Sequence, residues 1–313
     1  MEKRVLVITG PTATGKSALG VALAQRLDGE IVSADSMQIY RGMDIGTAKI
    51  AAEEMRGVPH HLLDVADPEE NWSAARWVEA AAEAVEDIFA RGRVPLLVGG
   101  TGLYIDSLLS GRDFAGSGGG GALREELGAE YDRVGGEAFR EQLRRVDPMR
   151  AEKLHPADKK RLVRAMEVFR LTGETISDHD ARTRSQPPRW PSLRWALTWD
   201  DRAVLYARID RRVDEMVAAG LFDEVARLLE RGLSPDCTAM QAIGYKESAQ
   251  YLQGGCGAEE AVEEIKRATR RYAKRQLTWL RRDEDLRWIV WTGTPDVGAA
   301  ADAIAAEWNL PPA

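Results

Sequence analysis

The residues best suited to chemistry lie near the amino end, directly after the apolar run 5–8, and fit the pattern G-x-x-x-x-G-K-[ST]. They are Gly10, Pro11, Thr12, Ala13, Thr14, Gly15, Lys16 and Ser17. Glycines let such a loop turn its N–H groups around an anion, and the start of the following helix adds positive potential. Lys16 supplies a charge for a terminal phosphate, and the Ser17 hydroxyl is placed for Mg²⁺. The segment therefore predicts a binding site for a di- or triphosphate.

Two further polar residues follow apolar segments, as a site of this kind requires. Asp35 comes after the short segment 30–33, and Thr101 comes after the buried run 94–98. An aspartate at such a position can hold Mg²⁺, orient a water, act as a general base or cap the next turn. Thr101 is a candidate hydroxyl donor in the same cleft, or part of a plain Gly-Thr-Gly turn.

The histidines and cysteines do not suggest a metal site. His60 and His61, followed by Asp64, resemble one only superficially, because adjacent histidines rarely ligate the same ion. We expect them either to lie in the core or to support residues of the site from behind. Cys237 and Cys256 are far apart and have no histidine at metal-binding spacing. We expect them to be free thiols in a reducing cytosol, which predicts a cytoplasmic protein.

The elements that must position these residues alternate as strand, helix and strand. Apolar runs and helical spacing predict strands at 3–9, 30–33, 94–98, 193–199 and 286–291, and helices at 18–27, 73–90, 202–219, 222–231, 241–254 and 259–282. This order predicts an α/β fold, a P-loop NTPase-like parallel sheet covered by helices. Ligands of such sheets bind at the carboxyl ends of the strands, which is where the phosphate loop, Asp35 and Thr101 fall.

The character of the chain changes near residue 110. Residues 116–121 include five glycines, which favours a linker, and the segment that follows, to about 183, is charged and helical in pattern. We therefore predict a catalytic core built from 1–111 and 191–313, which includes the C-terminal basic helix. A mainly helical domain, 112–190, is inserted into it.

The 313 residues carry a net charge of −7 that is unevenly distributed. Residues 266–282 contain eight basic and no acidic residues, and residues 140–184 contain twelve basic and eight acidic ones. An acidic body with two basic regions favours a polyanionic partner bound at a defined place, and solvated helices are the plainer alternative. There is no run of 18 apolar residues, so we expect no membrane span.

Because the phosphate-loop fold serves many functions, an ATP-dependent small-molecule kinase and a regulatory nucleotide-binding protein both remain open at this stage. A small substrate would not need the basic helix or the inserted segment, which weighs against a kinase. Asp35 and Thr101 opposite the phosphate loop weigh against a protein without catalysis.

Eight ordered segments together resemble the tRNA dimethylallyltransferases, the bacterial tRNA isopentenyltransferase family. They are residues 10–17, 33–40, 46–49, 59–64, 99–104, 158–168, 241–247 and 269–279. A set of this size in the family's order is far more specific than one phosphate loop. Two features depart from the family's pattern: Thr14 stands where Ser is common, and the glycine segment 116–121 is unusual.

The resemblance implies transfer of a dimethylallyl group from dimethylallyl diphosphate to an adenosine of tRNA, with release of diphosphate and a need for Mg²⁺. The acceptor is the exocyclic amine of the adenosine 3′ of the anticodon, position 37. The phosphate loop, which looks like an ATP site, then holds a prenyl diphosphate. The resemblance assigns Asp35 as the general base and places Thr101 in the same pocket. Lys16 and either Arg208 or Arg212 would reach the departing diphosphate.

The adenine must leave its stack and enter a channel to be modified. The residues expected from the resemblance to contact the tRNA anticodon stem-loop are Asp35, Ser36, Met37, Gln38, Thr101, Arg124, Lys160, Arg161, Leu162, Val163, Arg164, Gln241, Ala242, Ile243, Gly244, Tyr245, Lys246, Lys274 and Arg275. We expect the protein to be a monomer.

Overall fold

A computed structural model describes residues 3–112, 114 and 121–310, which form six strands and fourteen helices. The strands are β1 (Val5–Thr9), β2 (Gly29–Ser33), β3 (His60–His61), β4 (Val94–Val98), β5 (Ser192–Trp199) and β6 (Arg287–Trp291). The helices are α1 (Lys16–Leu27), α2 (Ala52–Met55), α3 (Ala74–Ala90), α4 (Gly102–Leu109), α5 (Gly121–Val134), α6 (Gly136–Arg144), α7 (Pro148–Lys153), α8 (Lys159–Thr172), α9 (Ile176–Ser185), α10 (Arg202–Ala218), α11 (Leu221–Glu230), α12 (Tyr245–Leu252), α13 (Ala258–Leu280) and α14 (Val297–Trp308).

All six strands pair in parallel in one sheet, in the order β3-β2-β4-β1-β5-β6. Strands β1, β2 and β4 are buried along their whole length, because a parallel sheet is covered by helices on both faces. The predicted fold class, an α/β parallel sheet covered by helices, is confirmed. Because β2, β4 and β1 are neighbours, the loops that follow them meet at one edge of the sheet.

Local signals in the sequence account for several helix boundaries. Ser73 caps α3 by accepting a hydrogen bond from the Arg76 N–H at 3.2 Å, and Asp201 caps α10 by accepting one from the Ala203 N–H at 2.7 Å. The predicted strands and helices lie within a few residues of the observed ones, with two exceptions.

The first exception is a set of four elements that the sequence analysis did not predict. These are β3, which is too short for a pattern, and the helices α2, α4 and α14. The second is residues 241–244, which were predicted to be helical. A 3-10 turn covers Ala239–Gln241, and α12 begins only at Tyr245. The cause is Gly244, whose φ of 96° cannot belong to a right-handed helix. Residues 116–120 of the predicted linker lie outside the described residues, and Gly121 begins α5.

The chain divides into two compact units, one of Met1–Asp106 with Trp190–Ala313 and one of Ser107–Arg189. The predicted domain boundaries, after residues 111 and 190, differ from these by a few residues. The first unit has a core of sheet residues packed against α1, α10, α13 and α14. The second has a separate helical core around Phe139, Leu143 and Leu162.

In the part of the chain that the structure describes, no helix combines the length and the apolar composition needed to cross a bilayer.

Candidate active site

The phosphate loop leaves β1 at Gly10 and ends where α1 begins at Lys16. Gly15 adopts a left-handed conformation, φ 88°, which turns the chain into the helix. Inside the loop, the Thr14 hydroxyl and the Lys16 Nζ both donate to the Pro11 carbonyl, at 2.8 and 2.7 Å. The loop is therefore a closed turn with Lys16 folded over it, and the threonine in place of the family's common serine takes part in it.

A cavity of about 990 Å³ opens beside this loop at the carboxyl edge of the sheet. Its walls include many of the residues singled out from the sequence. These are Thr12, Ala13, Gly15, Lys16, Ser17, Asp35, Ser36, Met37, Gln38, Arg212, Gln241, Ala242, Ile243, Gly244 and Arg275. Residues from the loops after β1 and β2, from α10 and from the turn before α12 thus line one space.

Asp35 and Thr101 are held by short contacts between the loops after β2 and β4. The Asp35 carboxylate accepts the Met37 N–H at 2.9 Å, and the Thr101 hydroxyl oxygen accepts the Ser36 N–H at 3.3 Å. The loops approach so closely that a Cβ at Gly99 would lie 2.2 Å from the Ala34 carbonyl oxygen. Asp35 therefore caps the turn after β2 and also faces the cavity.

The charges in the cavity act on one another. Burial, and then the nearby Arg212 guanidinium, lower the pKa of Lys16 to about 7, and the Asp35 carboxylate opposes them. Burial also lowers the pKa of Arg212, against the attraction of Asp35. When Lys16 is protonated, the two cations outnumber the Asp35 carboxylate, and the local excess of positive charge suits an anion with several charges.

The structure distinguishes the two arginines of α10. Arg212 lines the cavity, and its Nη1 lies 3.4 Å from the Thr12 hydroxyl of the phosphate loop. Arg208 is exposed: its Nε donates to the Ala13 carbonyl at 3.3 Å, and its guanidinium stacks 4.7 Å from the centre of the Trp199 ring. Arg208 is not among the residues that line the cavity.

Tyr272 and Gln276 are among the residues of the cavity wall that were not predicted as site residues. Tyr272, on α13, hydrogen-bonds Thr101, and burial followed by the Asp35 charge raises the pKa of its hydroxyl to about 12. Gln276, one turn further along, accepts the Thr12 N–H at 3.2 Å and donates to the Gly100 carbonyl at 2.9 Å. The helical spacing of α13 does predict that both face the body of the protein. A polar residue on such a buried face is the signal that could have found them.

Comparison with known proteins identifies the family of the chain. The model of the IPP transferase family matches residues 38–283 of the chain. The chain belongs to the IPP transferase family. The resemblance seen in the sequence is thereby confirmed, and the protein is a transferase.

Relatives of this IPP transferase are similar along nearly their whole length. The tRNA dimethylallyltransferase 1 of Pelobacter propionicus is 51% identical over 286 residues, covering 91% of this chain and 92% of the relative. The tRNA dimethylallyltransferase of Pelotomaculum thermopropionicum is 46% identical over 301 residues, covering 96% and 95%.

Two crystal structures support the same assignment. The tRNA isopentenylpyrophosphate transferase of Bacillus halodurans has a TM-score of 0.73 at 43% identity, with 98% of this chain and 97% of that chain covered. A eukaryotic dimethylallyltransferase, described as acting on tRNA, has a TM-score of 0.83 at 30% identity, with 98% of this chain and 79% of that chain covered.

The basic helix α13 of this IPP transferase is partly neutralised by acidic neighbours. Lys266 pairs with Asp214 at 2.8 Å, and Arg267 and Arg270 pair with Glu264 and Asp210. The other five basic residues of the segment form no ion pair with a described residue. They are Arg271, Lys274, Arg275, Arg281 and Arg282. The charge available to a polyanion is therefore concentrated toward the carboxyl half of the helix.

In the segment 241–246, two of the residues predicted to contact RNA differ in their burial. Lys246 is exposed, as an RNA contact requires. Tyr245 is fully buried, and its hydroxyl donates to the Glu224 carboxylate at 2.5 Å. Its side chain therefore holds the fold together and is not at a surface that RNA could reach.

In the unit Ser107–Arg189, the segment 160–164 lies on α8. Leu162 and Val163 are buried in the helical core, which leaves Lys160, Arg161 and Arg164 as the reachable side chains. Arg124 and Arg164 both pair with the fully buried carboxylate of Glu167, at 3.0 and 2.8 Å. That carboxylate holds two of the predicted RNA-contacting guanidinium groups beside each other.

The histidine pair has separate partners. The His60 Nδ1 lies 2.9 Å from the Val58 carbonyl oxygen, and the His61 Nε2 lies 2.7 Å from a carboxylate oxygen of Glu30. Asp64 pairs instead with Lys49 at 2.6 Å. Over the described residues, no three His, Cys, Asp or Glu side chains are grouped as ligands of a metal ion.

Proposed function

We propose that this protein transfers the dimethylallyl group of dimethylallyl diphosphate to the exocyclic amine of adenosine 37 in tRNA, 3′ of the anticodon, and releases diphosphate. One observation carries the proposal: the phosphate loop, Arg212 and Asp35 line the same cavity. A diphosphate and an acceptor with a proton to lose can therefore meet there.

The reaction forms a bond between the adenine nitrogen and the first prenyl carbon as that carbon's bond to the diphosphate oxygen breaks. Negative charge grows on the departing diphosphate, where Lys16, Arg212 and the amino end of α1 stabilise it. Asp35 accepts the proton that the nitrogen loses, because its carboxylate faces the cavity.

The cavity wall contains one hydroxyl group that suits Mg²⁺. The Ser17 hydroxyl is exposed in the cavity and hydrogen-bonds no described residue, so it is free to act as an oxygen ligand. Mg²⁺ held there together with diphosphate oxygens would withdraw charge from the leaving group.

The adenine would enter the cavity after flipping out of the anticodon loop. Ser36, Met37 and Gln38 on one side and the turn 241–244 on another line the space that would receive it. Lys274 and Arg275 on α13, with Lys160, Arg161 and Arg124 of the inserted segment, would contact phosphates.

Incubation of the protein with dimethylallyl diphosphate, Mg²⁺ and unmodified tRNA tests the proposal. We expect a mass gain of one dimethylallyl group on the adenosine 3′ of the anticodon, with release of diphosphate. ADP formation from ATP and a small acceptor, without prenylation of tRNA, would instead identify a kinase of the phosphate-loop class.

A further inference from the structure

Glu224 of α11 carries a buried carboxylate that the reaction described above does not use. Only 3% of the residue is exposed, and no Lys, Arg or His of the described residues pairs with it. The carboxylate accepts the N–H groups of Asp44, Ile45 and Gly46, at 3.0, 2.9 and 3.2 Å. The Tyr245 hydroxyl is its fourth donor. Backbone dipoles and one hydroxyl therefore stabilise a buried negative charge.

The three backbone donors belong to a segment that forms part of the cavity wall. Gly46, Thr47 and Ala48 line the cavity. Gly46 lies directly against the ring of Tyr245, where an added Cβ would be 2.4 Å from Cε2. Glu224 and Tyr245 together therefore hold this wall against α11 and α12 by hydrogen bonds and by packing.

The wall is connected in turn to Gln38. The Gln38 Nε2 donates to the Thr47 and Ala48 carbonyls at 3.2 and 3.3 Å, and its Oε1 accepts the Ser33 hydroxyl at 3.3 Å. The orientation of the Gln38 amide thus depends on where residues 47 and 48 lie. Glu224 makes no hydrogen bond to the phosphate loop, to Lys16 or to Arg212.

We propose that Glu224 is a positioning residue for the acceptor: it fixes the wall 44–48 and, through it, Gln38 in the shape that receives the RNA base. The inference rests on the proposed function. Tyr245 has the same role, and we call Glu224 and Tyr245 together the clamp. We expect the donor site for the prenyl diphosphate to be unaffected, because the hydrogen bonds of Glu224 go to residues 44–46 and Tyr245 and not to the phosphate loop.

The test is steady-state kinetics of the full-length Glu224→Gln variant, with tRNA and dimethylallyl diphosphate varied in turn. An amide places an NH₂ donor against backbone N–H donors, so the wall loses its fit. We expect the KM for tRNA to rise on the order of tenfold. The KM for dimethylallyl diphosphate stays within about twofold, because the clamp does not contact the phosphate loop. Tyr245→Phe, which keeps the ring against Gly46, should shift the KM for tRNA in the same direction by a smaller factor.

Glu30→Gln is the matched control. Glu30 is another nearly buried glutamate of the same unit, paired with His61 and Arg91 away from the cavity lining. We expect Glu30→Gln to lower the melting temperature and to leave the ratio of the two KM values unchanged. If Glu224→Gln also leaves that ratio unchanged, or raises both KM values equally, the inference is wrong.

If Glu224→Gln does not fold, the same comparison between Tyr245→Phe and the wild type decides the question. A wild-type protein that fails to prenylate tRNA would overturn the proposed function itself. A wild-type protein that is active, together with an unchanged KM ratio in the variants, would overturn only the role of Glu224.

Discussion

Asp35 caps the turn after β2, and in the proposed function it is also the general base. The Asp35→Asn substitution separates these two roles. In Asp35→Asn the side-chain oxygen still accepts the Met37 N–H, so the turn is retained while the base is lost. We expect turnover to fall by about 10²–10⁴-fold with tRNA affinity largely intact, and Asp35→Ala to behave similarly. Single-turnover prenylation and a tRNA binding titration measure the two effects. Near-normal turnover in both variants would rule out the general-base role.

The lowered pKa of Lys16 predicts that the protein takes up a proton when it binds a diphosphate. This pKa is about 7 in the protein without ligand, so at pH 8 the amine is mostly neutral. A bound diphosphate favours the charged form and raises the pKa, so at pH 8 the Lys16 amine takes up about 1 proton when a diphosphate binds. This uptake falls as the pH is lowered through about 7 and is small near about pH 6, because the amine is then already charged.

Calorimetric titration with inorganic pyrophosphate in two buffers of different ionisation enthalpy, Tris and HEPES, measures that uptake. Lys16→Arg is the control, since a guanidinium stays charged throughout this pH range. Equal proton uptake in Lys16→Arg and the wild type would assign the proton to another group.

At the scale of elements, α10 carries two arginines one turn apart that have different surroundings, since Arg212 lines the cavity and Arg208 does not. Arg212→Ala should weaken pyrophosphate binding by about 10–100-fold, because a charged hydrogen-bonding group is lost from the cavity. Arg208→Ala is the matched control and should change it by less than about threefold, because its guanidinium lies on Trp199 at the outside. An equal or larger loss in Arg208→Ala would contradict the assignment of Arg212 to the diphosphate.

Helix α13 has two faces with different roles. Tyr272 and Gln276 point inward to Thr101, Thr12 and Gly100, while Lys274 and Arg275 are exposed. Reversing the charges in Lys274→Glu with Arg275→Glu should weaken tRNA binding and lower the salt slope of the binding constant by about two. The control is Arg267→Glu, whose wild-type side chain is already paired with Glu264. An unchanged slope in the double variant would remove α13 from the RNA interface.

At the scale of the whole molecule, a net charge of −7 does not exclude a basic surface, because acidic side chains neutralise only part of α13. The acidic side chains of α10 neutralise the amino half of α13 and leave its carboxyl half positive. We expect such a surface to orient the approach of the proposed tRNA substrate, because the acidic remainder of the protein repels it.

The prediction that the protein is a monomer is tested by sedimentation velocity, with and without pyrophosphate. A dimer that persists on dilution would contradict this prediction.

The amino-acid sequence by itself determined five of the six strands, most of the helices and the three loops at the carboxyl edge. Each depends on signals within a short window: an apolar run, a helical period, a capping serine or a glycine-rich turn. The phosphate loop could be read directly because its chemistry depends on eight consecutive residues, 10–17.

Only the tertiary structure decided which side chains meet across long separations. The Thr12 N–H and Gln276 are 264 residues apart, and the Gly46 N–H and Glu224 are 178 residues apart, so no local pattern joins them. It also placed Arg212 in the cavity wall, Arg208 outside it and Tyr245 inside the protein. The physical reason is that spacing along a helix predicts which face is buried, whereas the neighbour on that face is set by how distant elements pack.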